Sequence, residues 1–150
     1  MKVAVGFDHG GFNLKQTICE LIQASGHEVV DVGAYYLNPD DDYPDFSIKV
    51  AIEVSSSKSQ KGIIVCGSGV GASIAANKIK GIRASVCHDL YSAQQGVEHD
   101  NMNVLCLGGR IVDEGTAAAL VKAFLKANFS GEERHLRRLN KINQVETDRV

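Results

Sequence analysis

The stretch GIIVCGSGVGAS (62–73) decides the fold. Its first half is a short run of isoleucine and valine, the pattern of a strand buried on both faces. Its second half alternates glycine with small residues and opens a helical pattern expected over 69–79, so a strand passes through a tight turn into a helix. Four similar runs stand around it: KVAVGF (2–7), HEVVDVG (27–33), IRASVCH (82–88) and NVLCLGG (103–109). Between the first two, Leu14, Ile18, Leu21 and Ile22 recur at helical spacing, and Gly26 follows where a left-handed C-terminal cap is wanted. The same reasoning predicts helices over 44–57, 90–99, 113–127 and 132–145, with Asp113 as a cap. Strands alternating with helices predict one α/β domain over 1–150, a three-layer sandwich with a five-stranded parallel sheet and a C-terminal helix.

Composition narrows the function. The 150 residues carry 16 Lys plus Arg against 18 Asp plus Glu, a formal net charge of -2, which gives no global field for nucleic acid or an anionic membrane. No apolar stretch approaches the roughly 18 residues of a membrane span, and the start has no leader pattern, so a cytoplasmic protein is expected. Cys19, Cys66, Cys87 and Cys106 are dispersed without a CxxC pair, which argues against disulfides and structural zinc. Cys87 and Cys106 sit in apolar strand patterns, where a thiol serves as a small hydrophobe. The segment AYYLNPDDDYPDF (34–46) holds both prolines and reads as a loop, with its triple aspartate as a solvated face. The basic segment GEERHLRRLNKINQ (131–144) reads as a charged surface helix.

In open parallel sheets ligands bind beyond the carboxyl ends of the strands. Asp8 and His9 follow the first strand, Cys66 ends the third and Arg110 follows the fifth, so three strand ends converge on one rim. The CGSGVGAS glycines let backbone amides approach a ligand at a helix start, an arrangement suited to an oxyanion or phosphate. A thiol at Cys66 facing those amides has its thiolate stabilised, which suits a base or nucleophile. Gly67, Gly69 and Ala72 also satisfy a loose dinucleotide-binding pattern with Asp89 at a fitting distance, so a dinucleotide-binding protein is the competing reading. Against it, the loop follows the third strand and the chain is short for a separate substrate domain.

With these residues assembled, the chain resembles the type B ribose-5-phosphate isomerases and the related galactose-6-phosphate isomerase subunits. The resemblance rests on FDHGGFNLK (7–15), ICELIQASGHEVVDVG (18–33), DYPDF (42–46), CGSGVGASIAANK (66–78), GIRASVCHDLYSAQ (81–94), EHDNMNVLCLGGR (98–110) and an RHxxR pattern over 134–138. It implies a Rossmann-like sheet, a homodimer or dimer of dimers, a site shared between subunits, and interconversion of ribose 5-phosphate and ribulose 5-phosphate. By the same resemblance, Cys66 is the base that moves the proton between C2 and C1, and His99, helped by Asp8, opens the furanose ring. Tyr43 and Asn101 line the sugar. His9, Arg110, Arg134 and Arg138 hold the phosphate, Gly67, Ser68, Gly69, Val70 and Gly71 surround the enediolate oxygen, and Asn77 braces the loop. Ser68 keeps a hydroxyl where many members carry threonine, and Ala72 stands where one branch of the family uses glutamate as base.

Isomerisation through an enediolate needs a base, a proton shuttle between two oxygens, and donors for the developing oxyanion. Cys66, the Ser68 hydroxyl and the glycine amides offer these within one turn of chain, so neither metal nor cofactor is expected. Preference for allose 6-phosphate or galactose 6-phosphate stays open, and a catalytically silent subunit is disfavoured because the constellation stands whole in this chain. His27 and His88 read as structural, and His135 as a helix-face or phosphate-adjacent residue.

Overall fold

The computed structural model describes residues 1–147. Eleven elements follow one another along them: β1 (Lys2–Phe7), α1 (Lys15–Ala24, entered through a 3-10 turn at Phe12–Leu14), β2 (Glu28–Asp31), α2 (Tyr43–Ser55), β3 (Lys61–Cys66), α3 (Val70–Ala76), β4 (Ala84–Val86), α4 (Leu90–Asp100), β5 (Val104–Gly108), α5 (Glu114–Lys126) and α6 (Glu133–Thr147). The strands form one parallel sheet in the order β2-β1-β3-β5-β4. Strand order reverses between β1 and β3, because the chain leaves β1 toward one edge and β3 toward the other. This places a crevice beyond the carboxyl ends of those two strands.

The strand periodicity sorts the core into two. Val5, Ile63 and Leu105 share a register row and face α1, α4 and α5, where Ile18, Ile22, Val97, Leu120 and Phe124 meet them. The alternate positions Ala4, Ile64 and Cys106 face α2 and α3 through Val50, Ala51, Ala72 and Ala76. Each large side chain buried this way contributes about 1.5–3 kcal/mol, and helices on both faces explain why the strands read as continuous apolar runs. The C-terminal helix α6 packs on α4 and buries His135 and Leu139.

The three-layer α/β expectation is met, and Gly26 adopts the left-handed conformation (φ 79°) at the end of α1. Both edge strands are shorter than their apolar runs, at 28–31 and 84–86, because each has a ladder partner on one side only. At β4 a side chain supplies part of the missing ladder. Asn77 Oδ1 accepts from Ala84 N–H at 2.8 Å, and Asn77 Nδ2 donates to Ala84 O at 2.8 Å. Asn77 thereby ends α3 short of the expected residue 79 and ties the C-terminal end of that helix to the start of β4, not to the glycine turn at the helix's other end.

Candidate active site

Four elements deliver side chains to the crevice. β1 leads to Asp8 and His9, β3 ends on Cys66, the turn after β5 carries Arg110, and α2 begins with Tyr43. Together with Gly67, Ser68, Gly71 and Ile111 they line a cleft of about 380 Å³. The turns are tied to one another, since Gly109 N–H donates to Cys66 O at 2.7 Å and Arg110 N–H to Gly67 O at 3.1 Å. The convergence of three strand ends on one rim is therefore observed.

Cys66 is 4 % exposed, and its Sγ accepts from Gly69 N–H at 3.1 Å. That contact requires the chain to turn back on itself at Gly69 (φ 81°), a conformation open to glycine without strain. Val70 N–H is directed to Ser68 Oγ at 3.3 Å. Of the turn's amides, those of Gly69 and Val70 thus serve the loop itself, contrary to the expectation that all five, from Gly67 to Gly71, face a ligand. The reason is that a loop this tight must satisfy donors internally before it can offer any outward. Tyr43 lies across the start of α3, so closely that a Cβ at Gly71 would come within 2.5 Å of its ring.

Asp8 is buried, and its Oδ1 accepts from Gly10 N–H at 2.8 Å and Gly11 N–H at 3.0 Å. Burial pushes its carboxyl above the ordinary value, against the opposing pull of those two amides. His9 is held by Asp41, whose Oδ1 lies 2.7 Å from His9 Nδ1 and accepts from His9 N–H at 3.0 Å. The hydrogen bond to Asp41 raises the His9 pKa, helped by Asp8 and opposed by desolvation and by Arg110. Asp41 corrects the reading of the triple aspartate as a solvated face: its side chain is 8 % exposed, and its Oδ2 is buried without a partner among the described residues. Ligand atoms of Asp8, His9 and Asp41 lie within 4.8 Å of one another, close enough to hold a cation. His9 Nδ1 and Asp41 Oδ1 are engaged with each other, however, so the set is an imidazole supported by a carboxylate.

The remaining residues of the expected site lie elsewhere in this chain. His99, Asn101, Arg134 and Arg138 do not line the Cys66 cleft. The physical reason is the direction of the helices. α4 starts beside the carboxyl rim, where His88 Nε2 accepts from Gly108 N–H at 3.0 Å, and runs back to the opposite rim, carrying His99 in its last turn. Asn101 is its left-handed C-terminal cap (φ 51°). Arg134 and Arg138 stand one turn apart on α6, and Arg134 Nε donates to Glu132 Oε2 at 2.8 Å. His99 Nδ1 lies 2.9 Å from Gln95 Nε2, and its ring stacks on His135 with centroids 4.1 Å apart. A second hollow, of about 390 Å³, separates β4 from α4. Its Arg83 guanidinium donates from Nε to the carbonyl of Asn101 and from Nη1 to that of Gly81.

Sequence reasoning missed Asp41 and gave His135 only as a helix-face or phosphate-adjacent residue. The available signal for Asp41 was its place in the loop that returns to Tyr43, and for His135 its place between Arg134 and Arg138.

The molecule is similar to known proteins over its whole length. The solved ribose-5-phosphate isomerase B of Clostridium thermocellum superposes with a TM-score of 0.95 at 45% identity, covering 100% of both chains. That of Mycoplasma genitalium with bound ribulose-5-phosphate gives 0.93 at 42% identity, covering 98% of this chain and 97% of that one. The ribose-5-phosphate isomerase B of Escherichia coli is 43% identical over 148 residues, 99% of this chain and 98% of that protein. The family model described as Ribose/Galactose Isomerase matches residues 3–142. On the strength of this match and of the cleft at its sheet switch point, the chain belongs to the ribose/galactose isomerase family.

Proposed function

We propose that the chain interconverts ribose 5-phosphate and ribulose 5-phosphate through an enediolate, at a site that a second copy of the chain completes. The observation that carries the reading is the Cys66 sulfur, set by the Gly69 amide in the same cleft as His9 and Arg110. Cys66 takes the proton from C2 of the open-chain aldose and returns it to C1. The Ser68 hydroxyl moves a proton between O1 and O2, and the amides of Gly67, Ser68 and Gly71 face the developing oxyanion. Tyr43 packs along the sugar.

His9 and Arg110 bind the phosphate by charge-assisted hydrogen bonds. Arg134 and Arg138 join them from the second copy, which also brings His99 and Asn101. Ring opening breaks the C1–O4 bond: O4 takes a proton from His99, and O1 gives its proton to the Asp8 carboxylate as the carbonyl forms. This chemistry calls on no cofactor and no metal. Residues 1–150 act as one catalytic domain in a homodimer or dimer of dimers, in the cytoplasm and in pentose phosphate metabolism.

The test is a panel of ribose 5-phosphate, allose 6-phosphate and galactose 6-phosphate assayed for ketose formation by purified protein in chelator. Turnover highest on the pentose is expected. A preference for either hexose would reassign the substrate, and no ketose from any of them would overturn the reading.

A further inference from the structure

The function proposed above uses His99 but leaves unexplained why a second histidine lies beneath it. His135 is 1 % exposed, and its ring is stacked on that of His99 at 26° between planes. It is held from the far side. Ser130 Oγ lies 2.6 Å from His135 Nδ1, and it also accepts from Glu132 N–H at 3.3 Å. The Ser130 hydroxyl, one donor with two acceptor lone pairs, accommodates both contacts and ties the His135 ring by its Nδ1 edge. The Ser130 N–H in turn donates to Glu98 O at 2.9 Å, in the residue preceding His99. A closed circuit therefore runs from the backbone beside His99, through Ser130 and His135, back to the His99 ring.

We propose that His135 is the positioning residue for His99: a buried imidazole, locked by Ser130, that fixes the plane of the His99 ring and so aims its Nε2 at the sugar ring oxygen. Gln95 completes the setting from within α4. Its Nε2 donates to His99 Nδ1, which leaves the proton of a neutral His99 on the outward nitrogen. An imidazole suits the floor better than an aliphatic side chain because its flat face matches His99 and its Nδ1 bonds the Ser130 hydroxyl. It stays neutral, which spares His99 a like charge. Burial lowers the His135 pKa, and His99, Arg134 and Arg138 lower it further, with Glu132 alone opposing. The two arginines beside it on α6 thus help to keep uncharged the ring that orients the acid.

The inference rests on the ring-opening role of His99, and two assays separate the two claims. Conversion of ribose 5-phosphate requires ring opening. Exchange of solvent deuterium into C1 of ribulose 5-phosphate, an open-chain ketose, requires only the Cys66 proton transfer. His135→Leu is expected to lower the first by about tenfold or more, the scale of a misaimed catalytic group, while the exchange rate and the KM change by less than about twofold. His135→Phe, which keeps a flat face but loses the Ser130 tether, should recover only part of the loss. If His135→Leu does not fold, Ser130→Ala, which releases the tether and keeps the ring, should show the same selective loss. Equal losses in both assays from a folded variant would make His135 a purely structural residue and overturn the proposal, as would no loss in either. His99→Ala run alongside should lose conversion but not exchange. If it keeps conversion, the reading of His99 fails and the proposal with it. If it loses conversion while His135→Leu does not, the positioning role alone fails.

Discussion

The two rims of the sheet treat buried charge in opposite ways. At the amino-end rim Lys61, the first residue of β3, donates from Nζ to Phe124 O at 2.7 Å, Ala127 O at 2.8 Å and Leu125 O at 3.5 Å. All three donors of the ammonium are spent on carbonyls that the end of α5 leaves orphaned. At the carboxyl-end rim the charges stop short of satisfying one another. Asp41 secures Nδ1 of His9, its Nε2 has no partner among the described residues, and Arg110 lies beside Gly67 at the cleft. Lys61 and Cys66 are the first and last residues of one strand, so the same element ends in a closed charge at one end and an open site at the other. The Lys61 charge is saturated by the chain, whereas the charges proposed to bind phosphate keep donors free.

The comparison can be broken most decisively at Cys66. Cys66→Ala should lower turnover by at least about a hundredfold, a general-base contribution, with KM little changed. A folded variant with near-normal kcat would mean that the open rim does not carry the chemistry. Next come the α6 arginines, where Arg134→Ala and Arg138→Ala should each weaken binding of phosphorylated sugar by about 1.5–3 kcal/mol. Mixing either variant with Cys66→Ala should regain part of the activity in hybrid dimers, since one of the two shared sites then holds an intact Cys66 with intact arginines. Absence of recovery after verified subunit exchange would place the whole site in one chain.

A smaller effect is expected at Asp41. Because Asp41 raises the His9 pKa, His9 stays an imidazolium to higher pH than an ordinary histidine, whose value is 6.5. The stabilisation from this pair is fully present below the unfolded value and is lost as pH rises through the elevated native one. Asp41→Asn should therefore move the alkaline rise of KM for ribose 5-phosphate to lower pH, by several-fold in KM near neutrality. A KM profile that superposes on the wild type would exclude the dyad.

The smallest effect concerns the closed rim. Lys61→Met should cost about 1–2 kcal/mol in urea unfolding, the scale of lost charge-assisted bonds to carbonyls, with kcat unchanged. Burial pulls the Lys61 pKa down to about 8, below its ordinary 10.5. Between those values the unfolded chain binds more protons, so this residue adds stability as pH rises through that window. The difference between wild type and Lys61→Met should widen from pH 8 toward 10.5. A constant difference would show that the carbonyls hold the charge as firmly as water does.

Legibility in the sequence followed the range of the interactions. Five apolar runs and the helical spacing of Leu14, Ile18 and Ile22 gave the elements because strand and helix periodicities are local. The rim carrying Asp8, His9, Cys66 and Arg110 was equally legible, since each of these residues directly follows or ends a strand. Edge strands came out shorter because an apolar run does not reveal how many neighbours it will have. Asp41 read as one of three solvated acids because its partner His9 is 32 residues away. The five-amide reading of the glycine turn failed at Gly69 and Val70 for a different reason, namely that hydrogen bonds inside a tight loop depend on its φ angles.

By itself the sequence determined that a parallel sheet would be sheathed on both faces and that a cysteine would end its third strand ahead of a glycine turn. Side-chain chemistry and short-range periodicity suffice for that. Only the tertiary structure decided which charges meet. It bent the aspartate loop back onto His9, carried His99 on a returning helix to the rim opposite Cys66, and seated His135 beneath it. Helices that connect parallel strands must run back against them, so residues following a strand gather at one rim and residues ending a helix gather at the other. Which pairs then touch is set by how the layers pack, and no local pattern in the chain records it.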